Sequence, residues 1–462
     1  MIKPNESPAP ASDRMSRRGF VGAVAGTASG VTIVSRHVLG RGQTAPSDKL
    51  NVASVGAGGM AANNIDRCSG ENIVALCDVD EMRAAKTFQK YPNVPKYKDF
   101  RVMLEKHKEI DAVIVACPDH VHALAAMMAI KMKKHVYVQK PMTRTVGEAR
   151  RLTEAAREYG VASQMGNQGR SMEGQRLLCE WIWDGAIGPV REVHCFTNRP
   201  VWKGQGSWTR PPEMPVPATL DWDLWLAGSP FRPYNPAYCP HDWRAWQQFG
   251  AGSLGDMGCH IMDAPFNVLK LRYPKAVQAC IAEQVNEPWK RVENKETFPN
   301  ASIIRYYFPE REGMPPVKLI WYDGGMMPER PEELEPERKM DFGDGGGTIF
   351  VGDKGKITCG TYGDSPRIIP EAKMQEYKRP PKTLPRVIGT HEQNWIDACK
   401  GKGPASSNFN YSGPLTETVV MGNLAILFPG QKLEWNGELM QVTNNPAAND
   451  FVMAKYRDGW SL

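Results

Sequence analysis

The sequence predicts an N-terminal, doubly wound parallel α/β sheet of the Rossmann type, followed by an α+β domain with a large, open, mainly antiparallel sheet. Three observations carry the prediction. From residue 49 onward, short apolar runs alternate with helix-length segments, the pattern of a parallel sheet with crossover helices. The run 111–117, DAVIVAC, is apolar throughout, as a strand covered on both faces should be. After about residue 169 the alternation stops, and proline- and tryptophan-rich segments separate strand-like runs. The chain has 462 residues, 41% of them hydrophobic, enough to core two domains at a prior of roughly 150 residues each.

The first strand is expected over 50–55, followed by the turn Gly56-Ala57-Gly58-Gly59-Met60-Ala61 and a helix to about 69. A strand over 72–77 ends at Asp78, and a helix covers 81–91. Strands at 111–117, 135–139 and 161–165 alternate with helices at 122–132 and 146–159, which closes a cofactor domain over 48–168. In 169–462, strands are expected at 190–197, 276–285, 301–308, 317–321 and 347–351. The Pro-, Glu- and Gly-rich stretch 324–346 reads as a surface loop, and 391–398 and 415–427 as helices returning toward the first domain. No internal repeat is visible.

Residues 1–47 stand apart. Ser16-Arg17-Arg18-Gly19-Phe20-Val21 is a twin-arginine pattern, and 20–34 is apolar, free of acidic residues and too short for a membrane span. The expectation is export, to a periplasm, of a protein already folded with its cofactor; Gln43-Thr44-Ala45 is a candidate cleavage end. The bland alternative is a chance Arg-Arg pair before an apolar helix. Ten cysteines without a CxxC pair or zinc spacing fit folding in a reducing compartment, as small buried hydrophobes. The net charge of +6 is spread along the chain, with no basic arm, which argues against a nucleic-acid partner. No metal site is expected.

Gly56-x-Gly58-x-x-Ala61 follows a strand and opens a helix, the context a dinucleotide fingerprint requires. Gly56 permits the tight turn, Gly58 lets backbone approach a pyrophosphate, and Ala61 allows close helix–strand packing. Gly59 and Met60 belong to the same helix start, whose N–H groups face phosphates. Asp78 stands 22 residues after Gly56, where a carboxylate accepts from ribose hydroxyls and repels a 2′-phosphate, so the expected cofactor is NAD. The loop Cys117-Pro118-Asp119-His120-Val121-His122 ends a strand at the cofactor crevice. It offers Pro118, His120 and His122 to the nicotinamide, or else Asp119 is a helix cap and the histidines are structural. Gln139, Lys140 and Asn167, at or just past later strand ends, complete the expected cofactor contacts.

Lys140, before Pro141, could polarise a hydroxyl or carbonyl beside the nicotinamide. In the run 250–263, Asp256 and His260 are four apart and on a helix share one face, with Asp263 one turn on. A carboxylate beside an imidazole raises its pKa and suits a general base; metal binding and a purely structural role are the alternatives.

With these motifs in place, the sequence from about residue 49 to its end resembles the Gfo/Idh/MocA oxidoreductases, the group of glucose–fructose oxidoreductase, inositol dehydrogenase and rhizopine catabolism. The glycine turn, the Gln139-Lys140-Pro141 element and the Asp-x-Gly-x-His-x-x-Asp run at 256–263 carry the resemblance. It implies catalytic roles for Lys140 and His260 with Asp256 assisting, cofactor binding by Gly56, Gly58 and Asp78, and assembly into a dimer or tetramer through the open sheet face. Gln139 departs from the glutamate usual there, so the lysine lacks that neighbouring charge.

Tyr238, His241, Trp243 and Arg244 precede the 250–263 run, with Trp202 and Trp208 earlier; thirteen tryptophans in all is a high count. Aromatic faces beside Arg, Asp and His suit sugar rings, and a tryptophan-rich loop packed into its own domain is the alternative. Three functions follow as expectations. The first is an NAD-dependent oxidoreductase acting on a sugar hydroxyl with a tightly held cofactor. The second is an NAD-dependent glycosidase working by transient oxidation, elimination, hydration and re-reduction. The third is an exported sugar-binding protein without chemistry.

Overall fold

The computed structural model describes residues 48–462; the twin-arginine segment and the candidate cleavage end lie outside the described residues. The first half is a six-stranded parallel sheet. Its elements are β1 Asn51–Val55, α1 Met60–Arg67, β2 Asn72–Cys77, α2 Glu81–Lys90, β3 Lys96–Tyr97, α3 Phe100–Lys106, β4 Ala112–Val115, α4 Asp119–Lys131, β5 His135–Val138, α5 Val146–Glu158 and β6 Ser163–Met165. The strand order is β3-β2-β1-β4-β5-β6, the doubly wound order expected for a Rossmann domain. All four residues of β4 are buried, as a strand covered on both faces requires. β3 and α3 are absent from the sequence expectation, since a two-residue edge strand gives no periodic signal.

Local caps explain where the helices begin. Asp80 accepts from the backbone N–H groups of Met82 and Arg83 and starts α2. Thr145 and Glu148 form a reciprocal capping box at α5. The order of strand addition reverses between the parallel strands β1 and β4, so the loops after these two strands face one crevice at the topological switch point.

The second half contributes α6 Glu173–Trp183, β7 Val190–Thr197, α7 Trp222–Leu226, α8 Cys259–Ile261, α9 Asp263–Val268, β8 Ala276–Ile281, β9 Val285–Glu287, β10 Lys290–Arg291, β11 Ser302–Phe308 and β12 Val317–Tyr322. It continues with β13 Gly346–Gly352, β14 Gly355–Cys359, β15 Arg367–Ile369, α10 Glu371–Glu376, α11 His391–Cys399, α12 Phe409–Ile426, β16 Lys432–Asn436 and β17 Gln441–Val442. Nine of these strands form a sheet in the order β15-β14-β13-β7-β12-β11-β8-β16-β17, and β9 pairs with β10 apart from it. The sheet is antiparallel except where β7 runs parallel to β12. α12 starts six residues before the expected position, because Pro414 lies inside the helix instead of marking its start. Among the described residues no helix is long and apolar enough to cross a membrane.

Tryptophans 202, 222, 225, 243 and 246 join Tyr234, Tyr238 and Phe249 in a separate buried aromatic cluster. Trp222 stacks on Trp225 with ring centroids 4.6 Å apart. All ten cysteines are unpaired, nine of them wholly or partly buried.

Candidate active site

The crevice between the ends of β1, β2, β4 and β5 is a cavity of about 320 Å³. Its floor is the glycine turn. Gly56 has φ +96°, and a Cβ there would lie 2.5 Å from the carbonyl oxygen of Ala116, so only glycine fits. A Cβ on Gly58 would meet the backbone oxygen of Arg83 at 2.6 Å. Gly59 precedes α1 at φ +57°, Met60 opens the helix half-exposed, and Ala61 is fully buried, in keeping with close helix–strand packing.

Asp78 closes the turn: its Oδ2 accepts from the Ala57 N–H at 2.8 Å and its Oδ1 from the Asp80 N–H at 3.0 Å. Burial raises its pKa while these backbone donors pull it down. A bare glycine turn, a helix N-terminus and a carboxylate at the second strand end fit the pyrophosphate and ribose of NAD.

On the opposite wall, Lys140 and Asp256 meet. Lys140 Nζ donates to the Asp256 carbonyl oxygen at 2.6 Å and lies 3.1 Å from its Oδ1. Arg199 and Arg244 each bring Nε to 3.4 Å from the same carboxylate. Burial alone would raise the Asp256 pKa, but Lys140, Arg244 and Arg199 hold its carboxyl well below the usual carboxylate range. A carboxylate, that of Asp256, thus faces the Lys140 ammonium although residue 139 is glutamine. Gln139 itself donates to Asn64 Oδ1 at 2.9 Å and accepts from the Lys140 N–H at 3.3 Å.

Asp119 is buried beside this group, its Oδ2 accepting from the Ala251 N–H at 3.0 Å. Burial raises its pKa to about 7 against the pull of Arg244 and Lys140. Three indoles, Trp225, Trp243 and Trp460, line the crevice, and the Arg244 guanidinium lies 4.2 Å from the Trp243 ring centroid. Pro118 and His241 also line it.

Several expected contacts are placed differently. The turn 254–258 is π-helical and not α-helical, and Asp256 makes no hydrogen bond to His260. Asp256 is spent on the three cations. His260 is buried and edge-on to Tyr362, ring centroids 5.1 Å apart, with its Nδ1 unpartnered. Its pKa is lowered well below the ordinary value, not raised: burial dominates, Lys140 adds to it, and the opposing pull of Asp256 is smaller.

His120 turns out of the crevice into the aromatic cluster, with Nε2 2.8 Å from the Trp225 carbonyl oxygen and its ring against Trp225 and Phe249. His122 lines the crevice, but both its nitrogens face backbone carbonyls, those of Pro141 and Cys117, at 2.8 Å. Those contacts favour the charged ring, burial opposes it, and burial prevails, with the pKa near 4. Tyr238, 1% exposed, belongs to the aromatic cluster and is not offered to a substrate. Asn167 lies off the crevice wall and accepts from Ser407 Oγ at 2.5 Å.

The sequence reading missed Arg199 and Trp460, which are distant in the chain from every motif, and it valued Asp119 only as a cap. Asp119 did carry a signal, its place after Pro118 at the carboxyl end of a strand. Among the described residues no group of three or more His, Cys, Asp or Glu is placed to hold a metal ion.

Two profiles of one family match the chain: an oxidoreductase family NAD-binding Rossmann fold over residues 50–167, and the same family's C-terminal alpha/beta domain over 183–295. The chain belongs to the Gfo/Idh/MocA oxidoreductase family. As a member of that family it is 30% identical over 151 residues to inositol 2-dehydrogenase of Salmonella typhimurium, covering 31% of this chain and 45% of that one. It is 26% identical over 243 residues to D-glucoside 3-dehydrogenase of Escherichia coli, covering 50% and 58%. The chain spans about half the length of the curated relatives it matches. The Gfo/Idh/MocA architecture recurs in the WlbA dehydrogenase of Bordetella pertussis, solved with NADH and UDP-GlcNAcA, at a TM-score of 0.56 and 15% identity over 84% of this chain and 99% of that one.

Proposed function

We propose that this protein is an NAD-dependent oxidoreductase acting on a hydroxyl of a sugar or sugar derivative. One observation carries the reading: the Lys140 ammonium is pinned by Asp256 on the wall of the same crevice that holds the glycine turn and Asp78. The names of the relatives, an inositol and a glucoside dehydrogenase, support a polyol or sugar as substrate. Bound NAD supplies the hydride acceptor.

Gly56, Gly58 and Asp78 would hold the pyrophosphate and ribose of NAD, with Pro118 and Gln139 on the same crevice wall. Lys140 donates to the reacting hydroxyl oxygen and stabilises the negative charge that grows on it. Asp256, kept ionised by its three cations, fixes that ammonium in place. His260 Nδ1, which has no hydrogen-bond partner, is the nitrogen assigned to take the departing hydroxyl proton. Trp225, Trp243 and Trp460 offer flat apolar faces to ring C–H groups, while His241 and Arg244 offer donors to hydroxyls.

A second reading, redox-neutral cleavage of a glycoside, is favoured by Asp119. A buried acid with a pKa near 7 next to Lys140 supplies the extra proton exchange that elimination and hydration require. The reading also includes export through the twin-arginine segment with NAD loaded beforehand, and assembly as a homo-oligomer.

The test is to purify the protein without added cofactor, measure bound nicotinamide by absorbance and mass, then offer sugars and aryl glycosides. A ketosugar with reduced cofactor is the expected product. Phenol release without net reduction assigns the glycosidase, and no cofactor with no turnover leaves a binding protein. Replacing Arg17 and Arg18 by lysine should retain the protein in the cytoplasm; undiminished export of that variant would refute the targeting claim.

A further inference from the structure

A second cavity, of about 470 Å³, shares no lining residue with the crevice. Arg144, Arg210 and Arg232 line it, and the one carboxylate on its wall is Glu296. Glu296 is shared between two of the arginines: Arg210 Nε lies 2.7 Å from its Oε1 and Arg232 Nη2 2.7 Å from its Oε2. Arg144 has no ion pair among the described residues; its Nη1 donates to the Gln247 carbonyl oxygen at 3.1 Å. Lys295, also on the wall, is neutralised outside by Glu293 at 2.9 Å. Two guanidinium charges thus exceed the single carboxylate.

The donors are as telling as the charges. Nε and Nη1 of Arg232, and Nε of Arg144, are buried without a hydrogen-bond partner. The Arg232 side chain is only 5% exposed and lies 5.3–5.7 Å from the rings of Tyr238, Trp246 and Phe249. Ring faces compensate its charge but accept none of its in-plane N–H groups. A buried donor left unmade is costly, and a guanidinium fork matches the two oxygens of a carboxylate or phosphate. At the same cavity Phe231 and Phe451 stand 69% and 52% exposed, apolar surface for the body of a ligand.

We propose that this cavity is a second ligand site, for a small molecule carrying a carboxylate or phosphate group held by the arginines of its wall, Arg144 and Arg210 in front and the buried Arg232 behind them. The site touches the catalytic frame at two points. Arg144 follows Lys140 by four residues on the loop between β5 and α5. Gly250 of the cavity wall precedes Ala251, whose N–H holds Asp119 and whose carbonyl accepts from Asn423, another wall residue, at 2.8 Å. Occupancy should therefore alter turnover in the crevice as well.

The test is calorimetric titration of the full chain, saturated with NAD so that the pyrophosphate site is filled, with inorganic phosphate and separately with citrate. The wild type should bind one equivalent of at least one probe. Arg144→Gln and the exposed-site variant Arg210→Gln should weaken that binding by about tenfold or more at unchanged unfolding temperature. The stronger probe tells carboxylate from phosphate. Binding of neither probe, or affinities unmoved by both substitutions, overturns the proposal. So does a change in sedimenting mass in the variants, which would make the occupant a second copy of the chain. None of these outcomes depends on the sugar chemistry assigned to the crevice.

Discussion

Lys140 Nζ sits 3.1 Å from Asp256 Oδ1 and donates to that residue's own carbonyl oxygen at 2.6 Å, so one residue grips the ammonium through both side chain and backbone. Such a grip fixes position as well as charge. Replacing Lys140 by Met should leave NAD affinity within a few-fold of wild type, while turnover falls about 10²- to 10⁴-fold. Cofactor titration by fluorescence alongside steady-state rates separates the two effects. Loss of cofactor binding in parallel with turnover would move Lys140 from chemistry to cofactor retention.

Asp78 should set cofactor choice. Its carboxylate holds the Ala57 and Asp80 N–H groups and faces the crevice. Asp78→Asn should weaken NAD binding about tenfold or more, the scale of a charged hydrogen bond, and narrow the preference for NAD over NADP. An unchanged ratio of the two affinities would count against the assignment.

Gly56 tests the turn. At φ +96° with the Ala116 oxygen 2.5 Å from a virtual Cβ, Gly56→Ala must displace β4 or distort the turn. The expected cost is about 1–3 kcal/mol of stability, with impaired NAD binding, read by thermal unfolding with and without cofactor. A variant as stable and as retentive of NAD as wild type would show that the turn has slack the geometry denies.

His120 predicts a pH dependence. Burial lowers its pKa to about 3, against about 6.5 when unfolded. Below pH 6.5 the unfolded chain takes up a proton here that the folded chain refuses, so stability falls as pH drops from 6.5 toward 3. Between pH 6.5 and 5 this amounts to roughly 2 kcal/mol. His120→Gln keeps a donor for the Trp225 carbonyl without titrating, so urea unfolding of wild type and variant should diverge by that amount over the interval. Parallel curves would mean that the ring is not held neutral.

The sequence made some of this legible, and the boundary has physical causes. β2 and β7 occupy the ranges read from their apolar runs, because period and burial agree there. The glycine turn and Asp78 were legible because backbone geometry demands glycine and the crossover length sets the spacing. The short polar edge strand Lys96–Tyr97 carries no pattern, and α6 lay unrecognised behind its mixed composition. The hydrogen bonds between Asp256 and Lys140 were not readable, because they join residues 116 apart in the chain, and neither was the pairing of Asp256 with Arg199 just past the end of β7. Nor could tryptophan content tell wall from core. Trp225, Trp243, Trp246 and Tyr238 all belong to the buried aromatic cluster, but only Trp225 and Trp243 also border the crevice.

In the proposed function His260, kept uncharged by burial and by the field of Lys140, accepts the substrate proton from behind the crevice lining. Single-turnover reduction of NAD pre-bound to the protein, on mixing with an oxidisable sugar, compares wild type with His260→Ala. The variant should bind NAD as wild type does but reduce it about 10²- to 10⁴-fold more slowly. Equal rates of reduction in the two proteins would contradict that role for His260.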